Sequence, residues 1–312
     1  MRSREVLIVG AGTMGSGIAS VFASKKFDVT LLDVSEAQLK KSKVLIERIS
    51  EILLRFGSIE DTNEVAERIT FEHKELKKLT AKDFLFALEA TFENPSTKAE
   101  VLKEMDSIIS KDCVISSTTS GINIHELVDY LNPERIIITH FFNPPFIVPL
   151  VEVVPGPKTN RETLDKTLDL LKNNLKYKVI LLSKYIPGFV VNRLTAALAR
   201  EAAYLVELGI VSPEDLDTAI IANYGLKFPF EGIFELFDYI GWDVAKMVGV
   251  YIFPTLCNST EGMKIAEDMV SKGRLGVKTG RGLKDYTGKT IEEVLEKRWI
   301  KMLKVLNCVK NL

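Results

Sequence analysis

The sequence predicts an α/β protein in which a doubly wound, mainly parallel sheet is followed by a second, all-α C-terminal domain. The chain of 312 residues opens with an aliphatic run that leads directly into a glycine-rich turn. Strand-like runs then alternate with helical stretches to about residue 183, a pattern typical of parallel sheets covered by helices. Beyond that point the hydrophobic pattern is helical.

The first strand is predicted at Glu5–Val9 and is followed by Gly10, Gly12 and Gly15. In this spacing the first glycine permits a tight turn and the second lets the backbone approach a pyrophosphate. The third lets the following helix pack closely on the strand, and the N-terminus of that helix faces the phosphate charge. The motif therefore predicts a site for a dinucleotide.

Asp33 ends the second predicted strand, which begins at Asp28. A carboxylate at this place can accept a hydrogen bond from a ribose 2′-hydroxyl and would repel a 2′-phosphate, which favours NAD over NADP. A glycine-rich turn in an unrelated α/β protein is the alternative, but here strand, helix, second strand and acid all occur in the expected order. The first domain, residues 1–184, is therefore predicted to be an NAD-binding Rossmann domain.

A helical insertion is predicted at about residues 35–82 of this domain. Its apolar positions recur at helical spacing at Leu39, Leu45 or Ile46, Ile49 and Leu53. The polar face carries several lysines, at positions 40, 41 and 43. This face is either a solvated helix surface or a binding surface for the phosphates of a large substrate.

Four further strands are predicted, at residues 84–93, 113–120, 135–142 and 178–183. Ligands of such sheets bind beyond the carboxyl ends of the strands, where Ser120 and His140 are expected. His125 falls in a helical stretch and is interpreted as structural or surface-exposed. His73 lies in a polar segment and is expected to be solvated.

His140 opens the segment HFFNPPFIVPLVE, which Glu152 closes. A lone histidine at an apolar strand end is more often structural than catalytic. Here, however, Pro144, Pro145 and Pro149 can form a rigid turn that returns Glu152 towards the histidine. His140 and Glu152 are therefore predicted to form a proton-transfer pair.

The second domain, residues 185–312, is predicted to be all-α. Its predicted helices cover residues 189–209, 212–225, 232–250, 261–272 and 291–306. Apolar stripes at residues 194–208 and 291–306 are consistent with a homodimer.

Composition limits the classes of function. The formal net charge is −1, with 46% hydrophobic and 27% charged residues, which predicts neither nucleic-acid nor membrane-surface binding. No apolar run is long enough for a membrane span, and no signal peptide is expected. The three cysteines fit neither a disulfide framework nor a zinc site, so we expect a cytoplasmic protein with no metal centre.

Several motifs together resemble the L-3-hydroxyacyl-CoA dehydrogenase family. They are VGAGTMGSGIA, EATFEN, SSTTSG, HFFNPPFIVPLVEVV, PGFVVNRL and GVKTGRGLKDY, and they cover nearly the whole chain in the family's order. The resemblance implies an NAD-dependent enzyme that oxidises a small-molecule hydroxyl substrate, usually as a homodimer, with the second domain serving substrate binding and dimerisation.

The resemblance also assigns roles to individual residues. His140 matches the catalytic histidine, Glu152 its acidic partner, Ser120 the hydroxyl residue near the substrate oxygen, and Asn192 the amide residue opposite it. The positions that match the cofactor site are Gly10, Gly12, Thr13, Met14, Gly15, Asp33, Glu93 and Lys98. In such an enzyme a histidine takes the hydroxyl proton while NAD takes the hydride.

The substrate has more than one interpretation. A short-chain 3-hydroxyacyl-CoA is favoured. However, the segment ISEILLRFG in the insertion is largely apolar, and Arg55 is its only positively charged residue. A free 3-hydroxy acid, of the gulonate or carnitine type, is the alternative. A non-enzymatic, NAD-binding protein resembling a lens crystallin is a further alternative.

Overall fold

The computed structural model describes residues 4–79 and 83–309, and Lys82, the predicted end of the insertion, lies outside these ranges. The chain divides into two compact units between Asn192 and Arg193. The boundary expected near residue 184 stays a prediction. No helix in the described ranges combines the length and the apolar character needed to cross a membrane.

The first unit is built on one eight-stranded sheet. Its strands are β1 (Glu5–Val9), β2 (Asp28–Asp33), β3 (Ile69–His73), β4 (Phe86–Glu89), β5 (Val114–Ser117), β6 (Ile136–Phe141), β7 (Leu150–Pro155) and β8 (Lys178–Leu181). They are ordered β3-β2-β1-β4-β5-β6-β7-β8. Neighbouring strands are parallel except β6 and β7, which are antiparallel. This confirms the predicted doubly wound, mainly parallel sheet.

Helices cover both faces of the sheet. They are α1 (Thr13–Ser24), α2 (Glu36–Arg55), α3 (Asn63–Ala66), α4 (Pro95–Ile108), α5 (Ile124–Leu127) and α6 (Arg161–Asp169). Val6 and Ile8 of β1 point into one hydrophobic core, and Leu7 and Val9 point into the other. This alternation buries both faces of β1, so its sequence is a continuous aliphatic run.

The insertion contains a strand as well as helices. In α2 the predicted stripe is buried, at Leu39, Ile46, Ile49 and Leu53. The structure differs from the helical prediction at β3, which pairs with β2 as the edge strand. At this edge only Ile69 of the five residues is fully buried, so β3 has little of the aliphatic signal of the central strands.

The second unit is helical, which confirms the predicted all-α region. Its helices are α7 (Val191–Glu207), which begins just before the division, α8 (Pro213–Lys227), α9 (Ile233–Ile240), α10 (Trp242–Ile252), α11 (Lys264–Ser271) and α12 (Ile291–Val309). The single helix predicted at residues 232–250 is divided at Gly241, whose φ is +99°. Among its described residues, Trp299 and Leu303 are the only large hydrophobic side chains that are buried.

Candidate active site

The glycine turn after β1 leaves one glycine open for a ligand. A Cβ on Gly10 would lie 2.6 Å from the Ala90 carbonyl oxygen, and a Cβ on Gly15 would lie 1.8 Å from the Gly10 carbonyl oxygen. By contrast, nothing lies within 4 Å of the Cβ position on Gly12. Gly12 also caps α1 without a side chain, so the first N–H groups of the helix, including those of Thr13 and Met14, remain available to an anion. These features fit the pyrophosphate of NAD.

Asp33 ends β2 beside this turn. One carboxylate oxygen accepts a 2.8 Å hydrogen bond from the Ala11 N–H, and the other accepts one of 2.8 Å from the Ser35 N–H. Gln38 donates from its side-chain amide to the Ala11 carbonyl oxygen, also at 2.8 Å. The peptide groups of Ala11 are thus held at both ends, which fixes the turn before a ligand binds.

A buried ion pair follows β4. The Lys98 ammonium lies 3.0 Å from both carboxylate oxygens of Glu89, and the two side chains are 1% and 0% exposed. Thr91, through its N–H, and Ser117, through its hydroxyl, also donate to Glu89. Lys98 further lies 3.3 Å from a Glu93 oxygen. Lys98 is therefore held between two carboxylates.

Glu93 connects this ion pair to the loop after β5. Its other oxygen accepts hydrogen bonds from the Thr119 hydroxyl at 2.6 Å and the Ser120 N–H at 2.9 Å. Burial alone would raise the pKa of Glu93. The Thr119 hydroxyl, the charge of Lys98 and the Ser120 N–H outweigh that effect and lower the pKa below its ordinary value. Glu93 is thus an ionised anchor for the backbone of Ser120.

His140 and Glu152 lie directly opposite each other on β6 and β7. The His140 Nδ1 is 2.9 Å from a Glu152 carboxylate oxygen, and the residues are 4% and 0% exposed. With Glu152 ionised, Nδ1 must carry a proton, which leaves Nε2 to exchange a proton with a substrate. The structure therefore brings together the two residues predicted as a pair.

The second Glu152 oxygen accepts hydrogen bonds of 2.9 Å from the N–H groups of Val190 and Val191. Burial alone would raise the pKa of Glu152. The hydrogen bonds from His140, Val191 and Val190, with the charge of His140, outweigh burial and lower the pKa. Glu152 thus stays ionised although it is removed from water.

Aromatic rings flank the imidazole. The ring of Phe142 lies 4.6 Å from that of His140, centre to centre, and the ring of Phe189 lies 5.2 Å away. These contacts and the Glu152 hydrogen bond restrict the orientation of His140.

Ser120 and Asn192 come together through a side-chain to backbone contact. Asn192 donates from its amide to the Ser120 carbonyl oxygen at 3.3 Å, and the Ser120 residue is exposed. The loop after β5 is tied to β6 by a 3.3 Å hydrogen bond from the Phe141 N–H to the Thr118 hydroxyl. Ser120, which follows β5, and His140, near the end of β6, therefore lie at connected ends of adjacent strands.

The two other histidines have the surroundings expected of non-catalytic residues. His125 is buried in α5, and its Nε2 lies 3.2 Å from the Val154 carbonyl oxygen. Burial lowers the pKa of His125 more than this hydrogen bond raises it. His73 is exposed at the end of β3.

The described residues form no metal-binding cluster, and the three cysteines are unpaired. Within residues 4–79 and 83–309, no group of three or more His, Cys, Asp or Glu side chains is arranged to hold a metal ion. Cys113, Cys257 and Cys308 are free thiols. Burial raises the pKa of Cys113 to about 12, so its thiol is a poor nucleophile.

Nearly all of the chain matches the two domains of one known family. Residues 5–184 match the family described as 3-hydroxyacyl-CoA dehydrogenase, NAD binding domain. Residues 188–286 match the C-terminal domain of 3-hydroxyacyl-CoA dehydrogenase.

Two curated relatives carry different names. The chain is 32% identical over 303 residues to 5-formyl-3-hydroxy-2-methylpyridine 4-carboxylate 5-dehydrogenase of Mesorhizobium japonicum, with 97% of each chain covered. It is 33% identical to a probable 3-hydroxybutyryl-CoA dehydrogenase of Bacillus subtilis, with 93% of this chain and 100% of the relative covered.

A solved structure is also similar over almost the full length. A 5-formyl-3-hydroxy-2-methylpyridine 4-carboxylic acid 5-dehydrogenase, described as an NAD+-dependent dismutase, superposes with a TM-score of 0.89. The two chains are 30% identical, and 99% of each is covered.

Alanine at Gly12 and at Gly15 should have different effects. Gly15→Ala forces a Cβ against backbone, so we expect a loss of about 1–3 kcal/mol in the free energy of unfolding. Gly12→Ala meets open space, so the loss of stability should be smaller, about 0.5–1 kcal/mol for the less favourable N-cap, while NAD affinity falls roughly tenfold, equivalent to about 1.4 kcal/mol. Urea unfolding measures the stability of each variant, and NAD titration measures its affinity for the cofactor. Equal losses of stability in the two variants would contradict the different roles given to Gly12 and Gly15.

Removing the cation of the buried ion pair should be strongly destabilising. Lys98→Met leaves the Glu89 carboxylate uncompensated, so we expect a loss of about 3–5 kcal/mol in the free energy of unfolding. The double variant Lys98→Met with Glu89→Gln should recover part of this loss because no buried charge remains. A single variant that loses less than about 1 kcal/mol would show that the pair behaves like an exposed one.

Proposed function

Because the chain belongs to the 3-hydroxyacyl-CoA dehydrogenase family and carries its NAD-binding domain, we propose that it oxidises short-chain L-3-hydroxyacyl-CoA esters, such as 3-hydroxybutyryl-CoA, to 3-ketoacyl-CoA. The observation that supports this activity best is the buried His140–Glu152 pair. It provides an oriented base at the carboxyl edge of a dinucleotide-binding sheet, where ligands of this fold bind.

In this proposal His140 Nε2 accepts the proton of the substrate hydroxyl as the C3–H bond breaks. Glu152 keeps the proton of His140 on Nδ1 and stabilises the imidazolium that forms. When bound, NAD+ supplies the acceptor for the C3 hydride. In the reverse direction His140 returns its proton to the ketone oxygen.

Ser120 and Asn192 are proposed to bind the substrate oxygen on which charge develops. The exposed Ser120 offers a hydroxyl donor, and Glu93 and Asn192 hold its backbone. Asp33 is proposed to accept from the adenosine ribose 2′-hydroxyl, in agreement with NAD as the cofactor. Lys98, which is 1% exposed, is proposed to act on the cofactor side by holding Glu93.

A small carboxylate substrate without coenzyme A is the second candidate, either a free 3-hydroxy acid or a compound closer to the pyridine carboxylate named above. The TM-score of 0.89 over 99% of both chains supports it. In addition, the apolar segment of α2 is partly buried, at Ile52 and Leu53. On the polar face of α2, Lys40 forms a 2.8 Å salt bridge with Glu36. The salt bridge offsets part of the positive charge that this face would offer to the phosphates of coenzyme A.

NADH formation should distinguish the substrates. We expect turnover of L-3-hydroxybutyryl-CoA that falls about 10²–10⁴-fold in His140→Gln, because that change removes the base. His73→Gln, an exposed histidine variant, is the control and should be fully active. Turnover of only free L-3-hydroxybutyrate, L-gulonate or the pyridine aldehyde acid would contradict the CoA-ester assignment. NAD binding with no turnover of any substrate would favour a crystallin-like protein.

We also propose that the protein is a homodimer formed through the second unit. That unit leaves many large apolar side chains exposed, including Phe234, Tyr251 and Phe253 at 70%, 83% and 72%. Removing apolar surface from water is favourable by about 25 cal/mol per Å², and the freedom lost on association offsets part of that gain.

Light scattering coupled to size exclusion should give twice the monomer mass of 34.9 kDa. Phe253→Glu, which places a charge on this surface, should shift the mass towards the monomer. The exposed Phe92→Glu in the first unit is the matched control and should leave the mass unchanged. A monomer at all concentrations for the unmodified chain would contradict the proposal.

A further inference from the structure

The turn that precedes α7 has an unusual backbone. Gly188 and Phe189 both have positive φ angles, +74° and +51°. Such an angle is common for glycine but unfavourable for phenylalanine, so the surrounding structure must hold Phe189 in place. The Phe189 side chain is 0% exposed and packs on the rings of His140 and Tyr185. The left-handed conformation is thus fixed by packing next to the proposed base.

This conformation directs two successive N–H groups at one oxygen atom. The N–H groups of Val190 and Val191 both lie 2.9 Å from the same Glu152 oxygen. Successive N–H groups beside a left-handed residue form an anion-binding concavity. Val191 is the first residue of α7, a helix of 17 residues. Glu152 therefore lies at the N-terminus of a long helix, where the helix dipole favours negative charge.

The two Glu152 oxygens thus have separate partners, His140 for one and the start of α7 for the other. His140 is the titratable side chain that hydrogen-bonds to Glu152. On β8 the residue in register is the apolar Ile180. The protonation of the pair is therefore governed by His140, Glu152 and the backbone donors.

We infer that Val190 and Val191 are positioning residues, whose backbone N–H groups hold Glu152 ionised and oriented and thereby limit how strongly it stabilises a proton on His140. The inference rests on the proposed role of His140 as the base. The Glu152 charge favours the imidazolium, whereas the positive end of α7 and its hydrogen bonds to the carboxylate oppose it. A base that is too easily protonated would be charged at neutral pH and unable to accept the substrate proton.

Proline at position 191 removes one donor without removing the helix. Proline fits the first position of a helix, where its ring favours the helical φ. Val191→Pro therefore deletes one N–H to Glu152, and Val191→Ala is the matched control because it shortens the side chain but keeps the N–H. Thermal unfolding and NAD titration show whether each variant is folded.

Histidine NMR gives a readout that does not depend on turnover, since the chain has only three histidines. The His140 signal, assigned with His140→Gln, should titrate at a pH about half a unit higher in Val191→Pro than in Val191→Ala. The acid limb of kcat/KM should move in the same direction. Equal midpoints in the two folded variants would overturn the inference. The expected NMR shift without turnover of any substrate would support it and contradict the proposed function.

A second measurement uses the unmodified protein, in case Val191→Pro does not fold. Phe189–Val190 is the only Phe–Val pair in the sequence, so carbonyl-labelled phenylalanine with ¹⁵N-valine selects the Val190 N–H. Its proton should resonate downfield, titrate with Glu152 at low pH, and lose the downfield shift in Glu152→Gln. A Val190 signal that is the same in both proteins would overturn the inference.

Discussion

A carboxylate that is removed from water needs a hydrogen-bond partner for each oxygen, and the arrangement of this site depends on how Glu152 meets that requirement. One oxygen pairs with His140, and the other accepts from the two N–H groups that begin α7. The antiparallel register of β6 and β7 supplies the first partner. The left-handed Phe189 directly precedes the second, the N–H groups of Val190 and Val191.

The same requirement organises the cofactor side. Glu89 is 0% exposed and is balanced by Lys98, whose ammonium also contacts Glu93. Glu93 in turn fixes the backbone of Ser120. The backbone of Ser120 is therefore tied through the half-exposed Glu93 to the buried Glu89–Lys98 ion pair, which lowers the reorganisation needed when a substrate binds.

The sequence was most informative where residue type itself determines structure. The glycines at 10, 12 and 15 have distinct steric surroundings that match their predicted places, and the His140–Glu152 pair lies in contact as predicted. The strand β7 was not among the predicted strands, because the prolines before it were interpreted as a turn that leads to Glu152. The edge strand β3 was missed because it carries few aliphatic residues.

Contacts that depend on tertiary structure could not be predicted. Gln38 contacts Ala11 only because α2 packs against the glycine turn, and Glu89 is interpretable only once Lys98 lies beside it. The donors at Val190 and Val191 are backbone groups, which every residue but proline has, so no residue type indicates them. The sequence does not distinguish a coenzyme A ester from a free hydroxy acid, because one base and one hydride acceptor suit several hydroxyl substrates.

In the proposed mechanism, Glu152 acts through His140 on the chemical step and not on cofactor binding. Stopped-flow measurement of NADH formation in a single turnover, with L-3-hydroxybutyryl-CoA and saturating NAD+, tests it most directly when Glu152→Gln is compared with the unmodified protein. The account predicts that the rate falls on the order of 10²–10⁴-fold while NAD affinity is unchanged, because the neutral amide no longer stabilises the imidazolium. A rate within a few-fold of the unmodified protein would contradict it.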